Sequence, residues 1–365
     1  MNTLPPALDP QSCRSRQNAV RGLLEEQKLD AALFINRNYV HALTGYWHEQ
    51  PLTPVAALVS QNGNAILIAP GENLNAPAAD THISYEPQEL CTLVENIPAR
   101  LSTALSQILE PYKRIGTTNS IPTALSQSAE WVDITTDYQN LRRHKYPDEV
   151  KLLRYAIHAT EIAYTEARNI LTPGLSELSL YSSMQAAAIN AVGEPLSAWG
   201  NDFRSGEPGG FPRQRPAANG EIAVLDIGVG VRGYRSDLCR SFSVDRNPTD
   251  LQLKAHARVL EALDHAESYI RPGASCKTLF EEVHAQLDGW NGYSFYHHLG
   301  HAIGLDAHET PRLNPYWDDT FQAGDVVAVE PGLYGDDLRG GLRLEQNFLV
   351  TEAGVERLSH FPLDL

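Results

Sequence analysis

Two pairs of acids recur in the same setting along this 365-residue sequence. Gly220-Glu221-Ile222-Ala223-Val224-Leu225-Asp226 parallels Gly324-Asp325-Val326-Val327-Ala328-Val329-Glu330, 104 residues later. Each is a turn glycine, an acid, four apolar residues and a second acid. After each second acid the chain turns back through glycines to a further acid, Asp237 in one case and Glu345 in the other. Paired strands carry alternate side chains on a common face, so such strands can gather all four carboxylates. Between the pairs runs Tyr296-His297-His298-Leu299-Gly300-His301-Ala302-Ile303-Gly304-Leu305-Asp306-Ala307-His308-Glu309, which holds four of the chain's 13 histidines. A single strand acid is usually a hydrogen-bonded edge residue, and a histidine beside glycine is usually solvated. Duplication of the acids and clustering of the histidines weigh for a metal site instead. Carboxylates with an imidazole suit Mn²⁺, Co²⁺, Fe²⁺ or Zn²⁺. Two such ions about 3.5–4 Å apart activate water and hold a carbonyl oxygen, which is hydrolytic chemistry. No G-x-x-x-x-G-K-[ST] loop and no G-x-S-x-G elbow is present, and Gly228-Val229-Gly230 lacks the third glycine of a dinucleotide loop.

The elements that must position these residues follow from pattern. Residues 11–28 read as an amphipathic helix and Ala31–Ile35 as a short strand. Val55–Val59 and Ala65–Ile68 flank Gln61-Asn62-Gly63-Asn64, a hairpin signal. A helix near 88–110, a strand at Arg114–Thr118 and a short helix near 121–128 complete an α/β domain over residues 1–140. A basic run, Leu141-Arg142-Arg143-His144-Lys145, precedes Tyr146-Pro147-Asp148-Glu149, which opens a long helix to about 171. The second domain, 141–365, contains another repeat. Thr172-Pro173-Gly174-Leu175-Ser176 and Arg271-Pro272-Gly273-Ala274-Ser275 each place a serine N-cap, 99 residues apart. The domain therefore consists of two related halves, each delivering acids to one site.

Composition excludes several classes. The formal net charge is −16 with no basic patch, which argues against nucleic acid. No window reads as a membrane span or a secretory signal, and the four cysteines are scattered without a CxxC. The expectation is a cytoplasmic protein.

The Asp226…Asp237 hairpin, Gly300-His301-Ala302-Ile303-Gly304-Leu305 with His308-Glu309, Val329-Glu330-Pro331-Gly332 and Arg343-Leu344-Glu345 resemble the pita-bread metallopeptidases. That family includes methionine aminopeptidase, Xaa-Pro aminopeptidase, prolidase and the metal-free creatinase. Asn38-Tyr39-Val40-His41-Ala42-Leu43-Thr44-Gly45-Tyr46 is similar to the creatinase/prolidase N-terminal domain, which methionine aminopeptidases normally lack. The resemblance implies an N-terminal α/β domain and a pita-bread domain with a curved antiparallel sheet, assembled as a homodimer. It implies two divalent ions, with Mn²⁺ first and Co²⁺, Zn²⁺ or Fe²⁺ as alternatives, held by Asp226, Asp237, His301, Glu330 and Glu345. Glu330 would shuttle the proton, His308 would stabilise the oxyanion, and His297 matches a further substrate-facing histidine. Arg343 would anchor a substrate carboxylate or orient Glu345. The activity implied is cleavage of the amide bond before proline in a small peptide.

Two departures qualify that picture. The family usually carries another histidine ahead of the first ligand aspartate, whereas Ser205-Gly206-Glu207-Pro208-Gly209-Gly210-Phe211-Pro212-Arg213-Gln214-Arg215-Pro216 has none. Arg213 or Arg215 is the candidate substitute donor, and a non-peptide amide or a catalytically impaired homologue becomes the alternative. Cys239 stands where relatives usually have threonine. Trp47 and His48 read as packing residues rather than as part of a neighbour's site, Tyr334 as packing, and Asp318-Asp319 as a solvated loop.

Overall fold

The computed structural model describes residues 4–72, 74–118, 121, 125–127 and 129–365. Contacts divide the chain into two compact units. One is Ala7–Arg142, and the other is Arg143–Leu365 with the few residues ahead of Ala7.

In the first unit, α1 (Pro10–Gln27) starts at Asp9, whose carboxylate accepts from the Ser12 N–H, with proline in the first turn. β1 (Ala31–Phe34) is wholly buried. α2 (Arg37–Thr44) is capped by Asn36 and stopped by Gly45. β2 (Ala56–Ser60) and β3 (Ala65–Pro70) form the hairpin expected around Asn62-Gly63, and β4 (Thr81–Tyr85) follows. A short ladder, β5 (Gln88–Glu89) with β6 (Thr92–Leu93), occupies what the sequence suggests is the start of a helix. Asn96 and Pro98 move that start to Ile97, giving α3 (Ile97–Leu109). β7 (Arg114–Thr117), β8 (Glu130–Asp133) and α4 (Thr135–Leu141) complete the unit. The sheet runs β4-β3-β2-β1-β7-β8 and is mixed, with β1–β7, β7–β8 and β3–β4 parallel. The helix expected near 121–128 falls largely outside the described residues. His48 is buried, its ring between the Tyr46 and Thr53 hydroxyls, and Trp47 packs on His41 and Arg37.

The second unit is built twice over. α5 (Pro147–Ile170) and α6 (Glu177–Val192) precede β9 (Ala198–Trp199), β10 (Asp202–Ser205), β11 (Ile222–Ile227), β12 (Val229–Val231), β13 (Tyr234–Arg235) and β14 (Leu238–Ser243). α7 (Asp250–Tyr269) and α8 (Cys276–Leu287) precede β15 (Gly300–Ala302), β16 (Glu309–Leu313), β17 (Val326–Val329), β18 (Gly332–Gly335), β19 (Gly340–Arg343), β20 (Gln346–Thr351) and β21 (Gly354–Arg357). Ser176 and Ser275 cap α6 and α8, and each also bridges to the segment ahead of the acid-bearing strand, at Pro216 and Thr320. The antiparallel pairing is divided into separate ladders: β10-β11-β14, β13-β12-β9, β16-β15-β17-β20-β21 and β18-β19. Thus β10 flanks β11 as β15 flanks β17, and the halves correspond strand for strand there.

The first acid of each repeated motif has a structural task. Glu221 accepts from the Ala218 N–H and pairs with Arg215. Asp325 accepts from the Gln322 N–H at 2.7 Å and takes both Nε and Nη2 of Arg143 at 2.9 and 2.7 Å. Each carboxylate closes a tight turn and is neutralised by one arginine, which makes burial of Glu221 and Asp325 tolerable. No helix of the described residues is long and apolar enough to cross a membrane.

Candidate metal centre and catalytic cavity

The second acid of each motif, and the acid that follows it, turn inward. Asp226 lies on β11, between Asp202 of β10 and Cys239 of β14. Asp237 sits in the link between β13 and β14, and Glu345 in the link between β19 and β20, so both occupy strand junctions rather than strands. Asn347 grips the Asp237 backbone on both sides, accepting its N–H and donating to its carbonyl. The Glu345 N–H donates to the Cys239 carbonyl at 3.0 Å, tying the two halves together. Buried Arg240 donates to the Cys239 and Glu345 carbonyls at 2.8 and 2.6 Å. Glu330 follows β17, with its N–H on the Leu299 carbonyl.

His301 on β15 places Nδ1 3.0 Å from the Ala302 carbonyl oxygen. Donation there leaves the Nε2 lone pair facing Asp237 Oδ2 at 3.7 Å and Glu330 Oε1 at 3.8 Å. His308 stacks on His301 with centroids 3.8 Å apart. The loop presenting His308 is held from below. Glu309 accepts from the Leu305 and Asp306 N–H groups and from Lys145 Nζ at 2.7 Å, and both ends of that ion pair are buried. A Cβ at Gly304 would come 2.8 Å from the Glu309 oxygens, so glycine is needed where the loop passes this carboxylate.

These side chains face a cavity of about 340 Å³ lined by Asp226, Asp237, His298, His301, His308, Glu330, Glu345, Arg235 and Arg343, among others. Three sets of donor atoms there lie within 4.8 Å of one another: Asp237, His301 and His308; His301, Glu330 and Glu345; Asp226, Asp237 and Glu345. Burial raises all four carboxyl groups, Asp226 to about 6 and Asp237, Glu330 and Glu345 well above their ordinary values, with mutual repulsion adding to the effect. Burial lowers His301 to about 3, so its imidazole is neutral and available as a ligand. Glu345 Oε2 is buried with no hydrogen-bond partner among the described residues. Clustered acids, a neutral imidazole and an orphaned carboxylate oxygen fit divalent cations, whose charge removes the repulsion and satisfies that oxygen.

The other expected residues take different places. His297 has its Nδ1 2.7 Å from the His298 carbonyl and 3.9 Å from Glu330 Oε2, and its Nε2 2.7 Å from the Tyr334 hydroxyl. The ring at the cavity is His298, 3.5 Å from Glu330 Oε1. Arg213 and Arg215 are absent from the cavity wall. Arg213 binds buried Glu177 through Nε and Nη2 and also pairs with Glu207, and Arg215 is the turn arginine of Glu221. Their charges are engaged by acids on the same scaffold. Arg343 does line the cavity, but its charge partners are Asp202 at 2.5 Å, Asp226 at 3.5 Å and Glu330 at 3.8 Å rather than Glu345. Asp202 is a site residue that sequence reasoning missed, since nothing in its spacing marks it. Asn347 had a signal: two polar residues, Gln346-Asn347, precede the apolar run Phe348-Leu349-Val350 in β20.

Carboxylates on and beside the strands of two related halves, with a histidine among them, define a carboxylate-rich divalent-metal site on a duplicated scaffold. The profile of metallopeptidase family M24 matches residues 151–352, and that of the creatinase/prolidase N-terminal domain matches residues 16–144. The chain belongs to metallopeptidase family M24 and is an enzyme of that family. It is 26% identical over 351 residues to a protein named Xaa-Pro dipeptidase from Pyrococcus horikoshii, covering 92% of this chain and 94% of that one. A Pyrococcus furiosus protein of the same name is 29% identical over 239 residues, covering 64% and 68%. The fold is that of the solved Xaa-Pro dipeptidase from Bacillus anthracis, with a TM-score of 0.81, 21% identity and coverage of 97% and 99%.

Proposed function

We propose that this chain is a dinuclear metal-dependent peptidase that hydrolyses the amide bond before proline in a small peptide. The observation that carries this reading is the convergence of Asp226, Asp237, Glu330, Glu345 and His301 on one cavity, with a Glu345 oxygen left without a partner. The names of the Pyrococcus relatives supply the proline preference. These five side chains would hold two divalent ions, Mn²⁺ first among the candidates. When bound, the ions supply Lewis acidity that polarises the scissile carbonyl and acidifies the attacking water. Glu330 takes a proton from that water and returns it to the departing nitrogen. His308 donates a hydrogen bond to the carbonyl oxygen as charge develops on it. Asp202 holds Arg343 beside Asp226 and Glu330, where its guanidinium opposes their mutual repulsion. Unpaired cysteines support a cytoplasmic setting, and the homodimer rests on the family resemblance alone.

The test is turnover of Xaa-Pro dipeptides and Xaa-Pro-Xaa tripeptides by Mn²⁺-loaded protein, read by mass spectrometry. The control is Glu330→Gln. Cleavage before proline that disappears in the variant is expected. Metal-replete protein that cleaves neither length would overturn the reading and favour a non-peptide amide.

A further inference from the structure

Among the described residues, three imidazoles line the catalytic cavity: His298, His301 and His308. His301 is a candidate ligand and His308 the proposed donor to the scissile carbonyl. Neither task involves His298. Its Nδ1 nevertheless faces Oε1 of Glu330 at 3.5 Å, closer than His301 Nε2 at 3.8 Å or His297 Nδ1 at 3.9 Å comes to that carboxylate.

The other two rings near Glu330 have no N–H left for it. His297 Nδ1 lies 2.7 Å from the His298 carbonyl oxygen and its Nε2 2.7 Å from the Tyr334 hydroxyl. His301 Nδ1 lies 3.0 Å from the Ala302 carbonyl oxygen, which leaves Nε2 as its ligand atom. Burial keeps both rings neutral, so each has one N–H, and that N–H goes to the backbone. The backbone also fixes His298 beside its carboxylate. The Glu330 N–H donates to the Leu299 carbonyl at 2.8 Å, and Gly300 pairs with Val329 across β15 and β17. The Gly300 carbonyl flanks the His298 ring as a second acceptor.

We propose that His298 is a positioning residue for Glu330: its Nδ1–H holds Oε1, so that Oε2 is left to move the proton. The inference rests on the shuttle role given to Glu330 above. That role asks one carboxylate to hold an ion and to carry a proton, which needs its two oxygens kept distinct. The torsion that turns a glutamate carboxylate is broad and nearly two-fold, so the side chain alone does not keep them so. A donor fixed on Oε1 does, and Oε2 then stays towards Arg343, whose Nη1 is 3.8 Å away. A separation of 3.5 Å is long for a hydrogen bond, but catalytic contacts are often long in the free enzyme and tighten when substrate binds.

The test uses two amides of different reach. Asparagine places an N–H where imidazole Nδ1 lies, and glutamine places one where Nε2 lies. Mn²⁺-loaded wild type, His298→Ala, His298→Asn and His298→Gln are compared on an Xaa-Pro dipeptide, with melting curves and metal content as controls. His298→Ala and His298→Gln should each lose about ten- to hundredfold in kcat, the usual cost of removing a group that orients a metal ligand, with KM within about twofold. His298→Asn should stay within about threefold of wild type, since the donor is kept. A packing role would instead favour Gln, the larger side chain, and a role in carrying the proton would disable both amides. An Asn variant no faster than the Gln variant, or an Ala variant as fast as wild type, overturns the proposal. A wild type that cleaves no Xaa-Pro peptide overturns the peptidase reading on its own, and the His298 contact is then read without turnover. In Zn²⁺-loaded protein carrying isotope-labelled histidine, the ring-nitrogen NMR shifts of His298 report which nitrogen bears hydrogen. Hydrogen on Nδ1 that switches to Nε2 in Glu330→Ala supports the contact. Hydrogen on Nε2 in wild type, or an Nδ1–H indifferent to Glu330→Ala, refutes it.

Discussion

The two halves of the catalytic unit share a scaffold and differ in what they hang on it. Each has a helix pair, a serine cap bridged to the segment ahead of the acid-bearing strand, and a turn acid neutralised by an arginine. Each sends the second acid of its motif and one junction acid into the cavity. The segments between helix and strand diverge. In the first half, residues 202–216 carry Arg204, Glu207, Arg213 and Arg215, bound to one another or to Glu177 and Glu221. In the second half, residues 297–309 carry the histidines and are held at one end by the buried pair Lys145–Glu309. On the proposed reading, duplication preserved the metal-facing frame, while proton transfer and hydrogen-bond donation to substrate fall to one copy. The other copy became an ion-paired support that contributes Asp202.

The largest effect should come from the second half. His308→Ala is expected to lower kcat by about a hundredfold or more, the usual cost of losing an oxyanion donor. Its side chain is exposed, so the melting temperature should move by only about a degree. A kcat within threefold of wild type would place the substrate-facing donor elsewhere, with His298 the next residue to test.

The motif acid of the first half can be tested through pH. In metal-free protein Asp226 has its pKa raised from 3.8 to about 6 by burial. A raised carboxyl pKa means that the folded state holds a proton the unfolded state has lost. The stability tied to that proton is complete below about pH 4 and is lost as pH rises through 6. Asp226→Asn removes this penalty. At pH 7.5 metal-free Asp226→Asn should be more stable than wild type by up to about 3 kcal/mol, and at pH 4 the two should coincide. Using a single substitution cancels the opposing contribution of His301, whose lowered pKa is present in both proteins. Added Mn²⁺ should raise the melting temperature of wild type far more than that of the variant. Equal melting at both pH values would mean that Asp226 is not desolvated.

Much of this arrangement is legible in the sequence, for a physical reason. A strand buried between neighbours is an apolar run, so an acid at its end stands out, and Asp226 and Glu330 are marked twice. Histidines within a few residues of one another are similarly visible. Partners that meet through space leave no such trace. Asp202 reaches Arg343 across 141 residues, and Lys145 reaches Glu309 across 164. Neither pair has a spacing to read. The same limit explains the roles that change. Arg213 and Arg215 occupy the segment where the family resemblance leads one to expect a histidine, but their partners Glu177 and Glu221 show only in the fold. His297 and His298 are adjacent in sequence, and only the backbone decides which ring faces the cavity.

The smallest expected effect tests whether the first-half segment is support or chemistry. Arg213→Ala leaves Glu177 buried without its guanidinium, although the carboxylate keeps the Ser205 and Arg213 backbone N–H groups as donors. Those remaining bonds should limit the cost to about 1–3 kcal/mol, below the loss expected for a wholly isolated buried charge. Thermal unfolding should show the loss, while kcat/KM on an Xaa-Pro dipeptide should stay within about threefold of wild type. Arg213→Lys should recover part of the stability, since a single ammonium replaces only one arm of the fork. If instead Arg213→Ala melts like wild type and loses more than tenfold in kcat, the arginine acts on substrate. The division between a supporting half and a reacting half would then fail, and the first half would have kept a donor by exchanging histidine for arginine.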